Sequence, residues 1–109
     1  MREAYAHDAV LIMEPDADIR AAGAAITVAL CGHWKHEPPC PLAAHHTAAR
    51  REGDRVRLRI LFATEPARLA EVRTKIAEAL RAWQVVEEEP GEITDAERDH
   101  AGRLTSIAP

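Results

Sequence analysis

The sequence predicts an α+β fold, and its length, composition and hydropathy pattern carry that prediction. Its 109 residues suit a single domain. Hydrophobic residues make up 47% and charged residues 29%, which is typical of a globular chain. Short apolar runs that suit strands alternate with two segments whose apolar residues recur at helical spacing. Because aromatic residues are only 4% of the chain, we expect a core of Ala, Leu, Ile and Val.

The first strand and helix are predicted within residues 9–30. Ala9 to Met13 is an apolar run stopped by Glu14-Pro15, as expected for a short buried strand, and the polar residues before it are predicted to be frayed. Residues 16–30 are predicted to form a helix, with acidic residues at its N-terminal end. No charge occurs between Arg20 and Lys35, so we expect this helix to be covered on more than one side, the second cover being another subunit.

A hairpin and a second helix follow. Residues 43–51 and 55–63 are predicted to pair around Glu52-Gly53-Asp54. The second of these strands alternates, with Val56, Leu58, Ile60 and Phe62 on one face and Arg57, Arg59 and Leu61 on the other. Residues 65–82 are predicted to be a helix and residues 83–87 a last strand. Farther on, Thr94 and Glu97 have the spacing of a capping box, which favours a short helix to about Leu104.

The predicted order of elements is β-α-β-β-α-β, and its two halves echo each other. LIMEPDADIRAAGAAITVAL and ILFATEPARLAEVRTKIAEAL each run from a strand through Glu-Pro into a helix. This repeat is typical of the ferredoxin-like fold, a four-stranded antiparallel sheet with two helices on one face and the first and third strands in its centre. We predict a ferredoxin-like domain over residues 1–89 and an acidic C-terminal tail over residues 90–109. Because many unrelated functions use this fold, it predicts no activity.

Charge and hydropathy argue against several classes of protein. The net charge of −4 argues against a general nucleic-acid binder. Residues 50–59 carry five Arg and residues 87–99 carry seven acidic residues, and we expect these two segments to pair, within a subunit or between subunits. The longest uncharged apolar run, residues 21–30, is too short to cross a bilayer, and the N-terminus lacks the apolar region of a signal peptide. We therefore expect a cytoplasmic protein that binds no membrane.

The functional site is predicted in CGHWKHEPPCPLAAHHT, residues 31–47, which holds both cysteines and four of the six histidines. Thiolate and imidazole are the usual ligands of zinc and also suit other transition metals. The candidate ligands are Cys31, His33, His36, Cys40, His45 and His46. No spacing among them is that of a standard zinc finger, so the hypothesis depends on their density. Because His45 and His46 begin a strand, their side chains should point to opposite faces, and we favour only one of them beside His33, His36 and Cys40.

Three functions remain open from the sequence. The first is a small cytosolic metal-binding protein of structural or regulatory role, with zinc bound in the loop between the first helix and the second strand. The second is a non-catalytic ligand- or partner-binding dimeric module without metal, in which Cys31 is a small buried hydrophobe. The third is a small enzyme that uses Cys40 and a nearby histidine as a thiolate-imidazole pair. The uncharged first helix and the partly apolar face around Leu61 predict a homodimer.

Overall fold

The computed structural model describes residues 2–31 and 43–106, which form a four-stranded antiparallel sheet and three α-helices. The strands are β1 (Glu3–Ile12), β2 (Ala44–Glu52), β3 (Arg55–Thr64) and β4 (Gln84–Gly91), and the helices are α1 (Ala21–Cys31), α2 (Leu69–Leu80) and α3 (Arg98–Thr105). The strand order β2-β3-β1-β4 puts β1 and β3 in the centre, as the sequence predicts. The α+β class is therefore confirmed. Within the described ranges, no helix combines the length and apolarity that a bilayer crossing needs.

The two faces of the sheet are covered differently. The main core lies between the sheet and helices α1 and α2, whose buried side chains include Ile26, Leu30, Val72, Ile76 and Leu80. These pack on the alternating residues of β3 that the sequence assigns to the core, Val56, Leu58, Ile60 and Phe62. A smaller cluster on the opposite face joins Leu104 of α3 to Ala6, Ala44, Leu61 and Ala63. Helix α3 therefore covers one end of the face that α1 and α2 leave open.

Strands β1 and β4 are longer than the sequence predicts. Strand β1 begins at Glu3, so the prediction that residues 1–8 are frayed is wrong for Glu3 to Asp8. Both β3 and β4 pair with this part of β1, with Glu3 opposite Thr64 and Ala6 opposite Gly91. Backbone hydrogen bonding on both sides holds a central strand even where its side chains are small or polar. For the same reason β4 continues past residue 87 to Gly91.

Helix α1 begins at Ala21 and not at residue 16. The Asp18 carboxylate accepts the backbone N–H of Arg20 at 2.9 Å, and the Ala17 N–H donates to the Glu14 carbonyl at 3.0 Å, so residues 14–20 form successive turns. An acidic residue that accepts a backbone N–H in this way starts a helix after itself. Helix α2 is also shorter than predicted, because its first turn, Pro66–Arg68, is a 3-10 helix.

The hairpin and the C-terminal helix confirm two local predictions. Glu52 pairs with Arg55, which leaves Gly53-Asp54 as a two-residue turn, and Gly53 has a φ of +68°. Glycine tolerates that angle without strain, as a type II′ hairpin turn requires. Thr94 and Glu97 form the predicted capping box at the 3-10 turn Asp95–Glu97, which leads into α3. The prediction that Leu61 lies on an exposed face is wrong, because α3 buries it.

Candidate functional site

Three of the predicted metal ligands, His33, His36 and Cys40, lie outside the described residues. Cys31 is the last residue of α1, and its side chain is likewise outside the description. His45 and His46 are described, at the beginning of β2. The structure therefore describes α1 and β2, the two elements that the connection with these residues joins.

Helix α1 and strand β2 run side by side in opposite directions. The backbone of Gly23 lies against Thr47, since a Cβ added at Gly23 would be 3.4 Å from the Thr47 Cβ. One helical turn later, the Thr27 hydroxyl contacts the His45 ring at 2.9 Å. One helical turn rises about 5.4 Å and two strand residues about 6.6 Å, so contacts between α1 and β2 can recur at similar intervals along both elements. The two ends of the connection, Cys31 and Ala43, therefore lie close together.

His45 is held in a defined orientation on the helix-covered face of the sheet. Its Nδ1 lies 3.1 Å from the Ala43 carbonyl, and because a carbonyl can only accept, Nδ1 carries the proton. In the neutral ring Nε2 is then the nitrogen with the lone pair, and it lies 2.9 Å from the Thr27 hydroxyl. The same hydroxyl lies 3.0 Å from the Gly23 carbonyl, and its single proton can be donated either to that carbonyl or to Nε2. A backbone carbonyl that orients one ring nitrogen is the usual partner of a histidine that binds metal through the other.

His46 lies on the other face of the sheet, as the alternation of a strand predicts. Its ring faces His100 of α3, with the ring centres 4.7 Å apart and the planes tilted by 58°. Burial lowers the pKa of His46, and the neighbouring His100 lowers it further. Because His45 contacts α1 and His46 faces α3, the sheet separates the two rings. His100 was missed by the sequence argument, since nothing local connects residue 100 with residue 46.

A second charged cluster holds α3 to the sheet. Arg59 donates from Nη1 to both Asp8 oxygens at 3.0 and 2.9 Å, and from Nε and Nη2 to the Glu97 carboxylate at 3.1 and 2.8 Å. Its Nη2 also donates to the Glu92 carbonyl. These hydrogen bonds raise the pKa of Arg59, and those from Arg59 and from the Thr94 backbone lower that of Glu97 to about 2. The predicted pairing of basic hairpin and acidic segment is confirmed here, within one chain.

The rest of the open face forms a groove of about 470 Å³. Its floor includes Val10 and Ala48, Arg50 and Arg57 lie on one side, and Glu87 and Glu89 lie on the other. Arg50 and Arg57 both donate to Glu52, and these contacts lower the pKa of Glu52. The two basic residues are thus already paired at the hairpin end, which leaves a groove of mixed charge.

A buried polar array that the sequence did not predict crosses the other side of the sheet. Arg73 Nη1 donates to Nδ1 of His7 at 3.0 Å and to the Ala6 carbonyl at 2.9 Å, and its guanidinium lies 5.4 Å from the centre of the Phe62 ring. Because arginine only donates, His7 must carry its proton on Nε2, which lies 2.7 Å from the Glu88 carboxylate. His7 is only 5% exposed, so this array satisfies a buried residue and has no open position for a ligand.

Over the part of the chain that the structure describes, no three His, Cys, Asp or Glu residues come together in a way that would hold a metal ion. The predicted set includes His33, His36 and Cys40, so this finding leaves the predicted site a prediction. No protein-family model and no curated protein matches the chain.

Proposed function

We propose that this protein binds a transition metal, zinc first, through the connection between α1 and β2, in a structural or regulatory role. The observation that carries the proposal is the orientation of His45, whose Nδ1 donates to the Ala43 carbonyl and whose Nε2 contacts the Thr27 hydroxyl, a contact that a metal ion would replace. A ring fixed in this way loses little freedom when it binds a metal. The proposal keeps the expectation of a cytoplasmic protein, and the net charge of −4 argues against a general nucleic-acid partner.

The proposed ligands are His33, His36, Cys40 and His45. The antiparallel course of α1 and β2 supports this set, because it brings the two ends of the connection that carries His33, His36 and Cys40 close to His45. His46 is left out, since it faces α3 on the other side of the sheet. Cys31 ends α1 and remains an alternative to one of the histidines. Three imidazoles and one thiolate form a four-coordinate set of the ligand types that zinc accepts.

The test is a comparison of untagged wild type with Cys40→Ser and His45→Gln. Metal content after purification and the melting temperature with zinc and with chelator are measured for each. Zinc bound only by the folded chain should raise the melting temperature, and removal of either ligand should abolish most of that rise. Glu78→Gln on the exposed side of α2 is the control, because it lies in neither proposed metal site and should keep the rise. Equal melting temperatures in zinc and chelator for the wild type would reject the site.

A partner-binding function is the second candidate, and one exposed side chain favours it. Val28 of α1 is 46% exposed, and it is the only large hydrophobic side chain among the described residues that is exposed to this degree. It lies on a helix without a single charged residue, Ala21–Cys31. We infer that this helix packs against a second copy in a homodimer. Light scattering of the wild type at micromolar concentration should report a dimer, and Val28→Glu should report a monomer. A monomeric wild type would contradict this inference.

We also propose that the architecture is ferredoxin-like, with α3 as an addition to it. The order of elements up to β4, the central positions of β1 and β3, and the packing of α1 and α2 on one face support the proposal. An experimental structure with a different strand order would overturn it.

A further inference from the structure

His46 and His100 form a pair that the proposed loop site does not use. His46 belongs to edge strand β2 and His100 to α3, and the ring centres are 4.7 Å apart with planes tilted by 58°. His46 is exposed and His100 is half-buried, so solvent reaches the pair. The two imidazoles are 54 positions apart in the sequence, and they meet at this point of the surface.

The separation of the rings suits two ligands of one metal ion. With metal–nitrogen bonds of about 2.0–2.1 Å, imidazoles on neighbouring corners of a tetrahedron or an octahedron have ring centres roughly 4.5–5.3 Å apart. The observed 4.7 Å lies inside that range. The planes of the two rings are tilted by 58°, so the rings do not stack face to face. In a face-to-face stack, the nitrogens of the two rings would not be directed at a common point.

We expect only the two histidines to bind the ion, because the neighbouring charged side chains are paired with each other. Glu97 precedes His100 by one turn, but its carboxylate is bound by Arg59 and by the Thr94 backbone and hydroxyl. The positive charge of Arg59 is in turn balanced by Asp8 and Glu97. This agrees with the absence of any three-ligand group within the described residues. Water would complete the coordination, as it does at open metal sites.

We propose that His46 and His100 are a second metal site, for divalent ions that prefer imidazole, and that the ion joins α3 to the edge of the sheet. Copper, nickel and zinc are the ions with that preference, and Cu²⁺ should bind most tightly. The site lies on the face of the sheet opposite His45, and it uses none of the ligands of the loop site. A bound ion would add a link between β2 and α3 beyond the contact of Leu104 with Ala44 and Leu61.

The experiment measures Cu²⁺ binding in a variant whose loop site is disabled by His33→Gln, His36→Gln, Cys40→Ser and His45→Gln. Calorimetry should find one Cu²⁺ per chain, and electron paramagnetic resonance should show hyperfine coupling to two imidazole nitrogens. Adding His46→Gln or His100→Gln turns a chelate into a single ligand, so affinity should fall by roughly 10²-fold. Asp99→Asn is the matched control, because it changes the neighbour of His100 on an exposed position of α3 and should leave affinity unchanged.

The outcomes separate this site from the loop site. If His46→Gln and His100→Gln bind Cu²⁺ as tightly as their parent, or if Asp99→Asn weakens binding as much as they do, the pair is only a contact between two rings. Hydrogen exchange of the α3 amides should slow when Cu²⁺ binds, and unchanged exchange would reject the link to the sheet. If the variant with the four loop substitutions does not fold, the wild-type chain is used as the parent instead. Each single substitution, His46→Gln or His100→Gln, should then lower the number of Cu²⁺ ions bound per chain by one. Failure of the loop proposal, tested with zinc and Cys40→Ser, would leave these results unaffected.

Discussion

Gly91 lies beside the ion pair of Asp8 and Arg59 on the open face, and its lack of a side chain leaves room for that pair. A Cβ at this position would overlap both the Arg59 Nη1 and the Asp8 Oδ2, the two groups that form that pair. At Gly102 of α3, by contrast, an added Cβ would meet open space, because nothing lies within 4 Å of it. The two glycines therefore offer opposite tests of the same substitution.

Gly91→Ala should destabilise the fold by about 1–2 kcal/mol, because the methyl group must displace the Asp8–Arg59 pair. Gly102→Ala should instead stabilise it by about 0.5–1 kcal/mol, since alanine costs less backbone entropy in a helix. Urea denaturation measures both changes. If Gly91→Ala acts through the ion pair, its effect should shrink in an Asp8→Ala background. An undiminished effect in that background would place the cause elsewhere.

Thr47 carries a buried hydroxyl that has no hydrogen-bond partner among the described residues. Its side chain faces the backbone of Gly23 on α1. Thr47→Val keeps the branched shape and removes the unpaired oxygen, so we expect it to stabilise the protein by about 1 kcal/mol. Thr27→Val is the matched comparison on α1, where the hydroxyl does have partners and its loss should destabilise. Denaturation midpoints of the two variants should therefore move in opposite directions.

At the scale of elements, α3 depends on a charged anchor at its start. The Glu97 carboxylate closes the capping box with Thr94 and also binds Arg59 of the central strand β3. One side chain thus begins the helix and docks it on the sheet. The helix itself contributes only Ala101 and Leu104 as buried residues, so its apolar contact is small and the anchor matters correspondingly more.

Glu97 makes part of the stability depend on pH. Arg59 lowers its pKa from the ordinary 4.5 to about 2 in the folded chain, so its contribution is fully present above 4.5 and is lost as pH falls toward 2. Glu97→Gln should cost about 1–3 kcal/mol at pH 7. It should also flatten the stability curve between pH 4.5 and 2, which denaturation at several pH values measures. Glu78→Gln on the exposed side of α2 is the control, and equal curves for it and Glu97→Gln would contradict the prediction.

At the scale of the whole molecule, the sheet is covered by α1 and α2 on one face and only partly by α3 on the other. The cluster beneath α3, Ala6, Ala44, Leu61 and Ala63, is apolar and almost fully buried. Without α3 these side chains would join the open groove and enlarge its apolar area. By covering these side chains, the helix reduces the exposed apolar area that would favour association.

Removal of residues 92–109 should leave the main core folded and expose the cluster beneath α3. We expect the truncated chain to bind a hydrophobic dye and to self-associate, with its strand content unchanged by circular dichroism. Leu104→Asp in the full chain should reproduce these effects in weaker form, because it opposes docking without removing the helix. A truncated chain that neither binds dye nor changes its association state would show that the cluster is covered in another way.

Much of the fold could be predicted because its signals are local. The alternation from Val56 to Phe62, the glycine of the hairpin turn and the Thr94–Glu97 spacing each lie within a few residues and describe what those residues do. The N-terminal half of β1 could not be predicted in this way. Its residues Tyr5, Ala6 and His7 have no strand pattern of their own, and only pairing with β3 and β4 makes them a strand.

The sequence by itself determined the class of the fold, the central strands and the concentration of Cys and His between α1 and β2, because hydropathy period and composition are properties of neighbouring residues. Only the tertiary structure decided which side chains meet. It put His45 against Thr27 on one face and His46 against His100 on the other, and it joined Arg59 to Asp8 and Glu97. Such contacts join residues far apart in the chain, and they arise from how the sheet and α3 pack together, which no local pattern encodes.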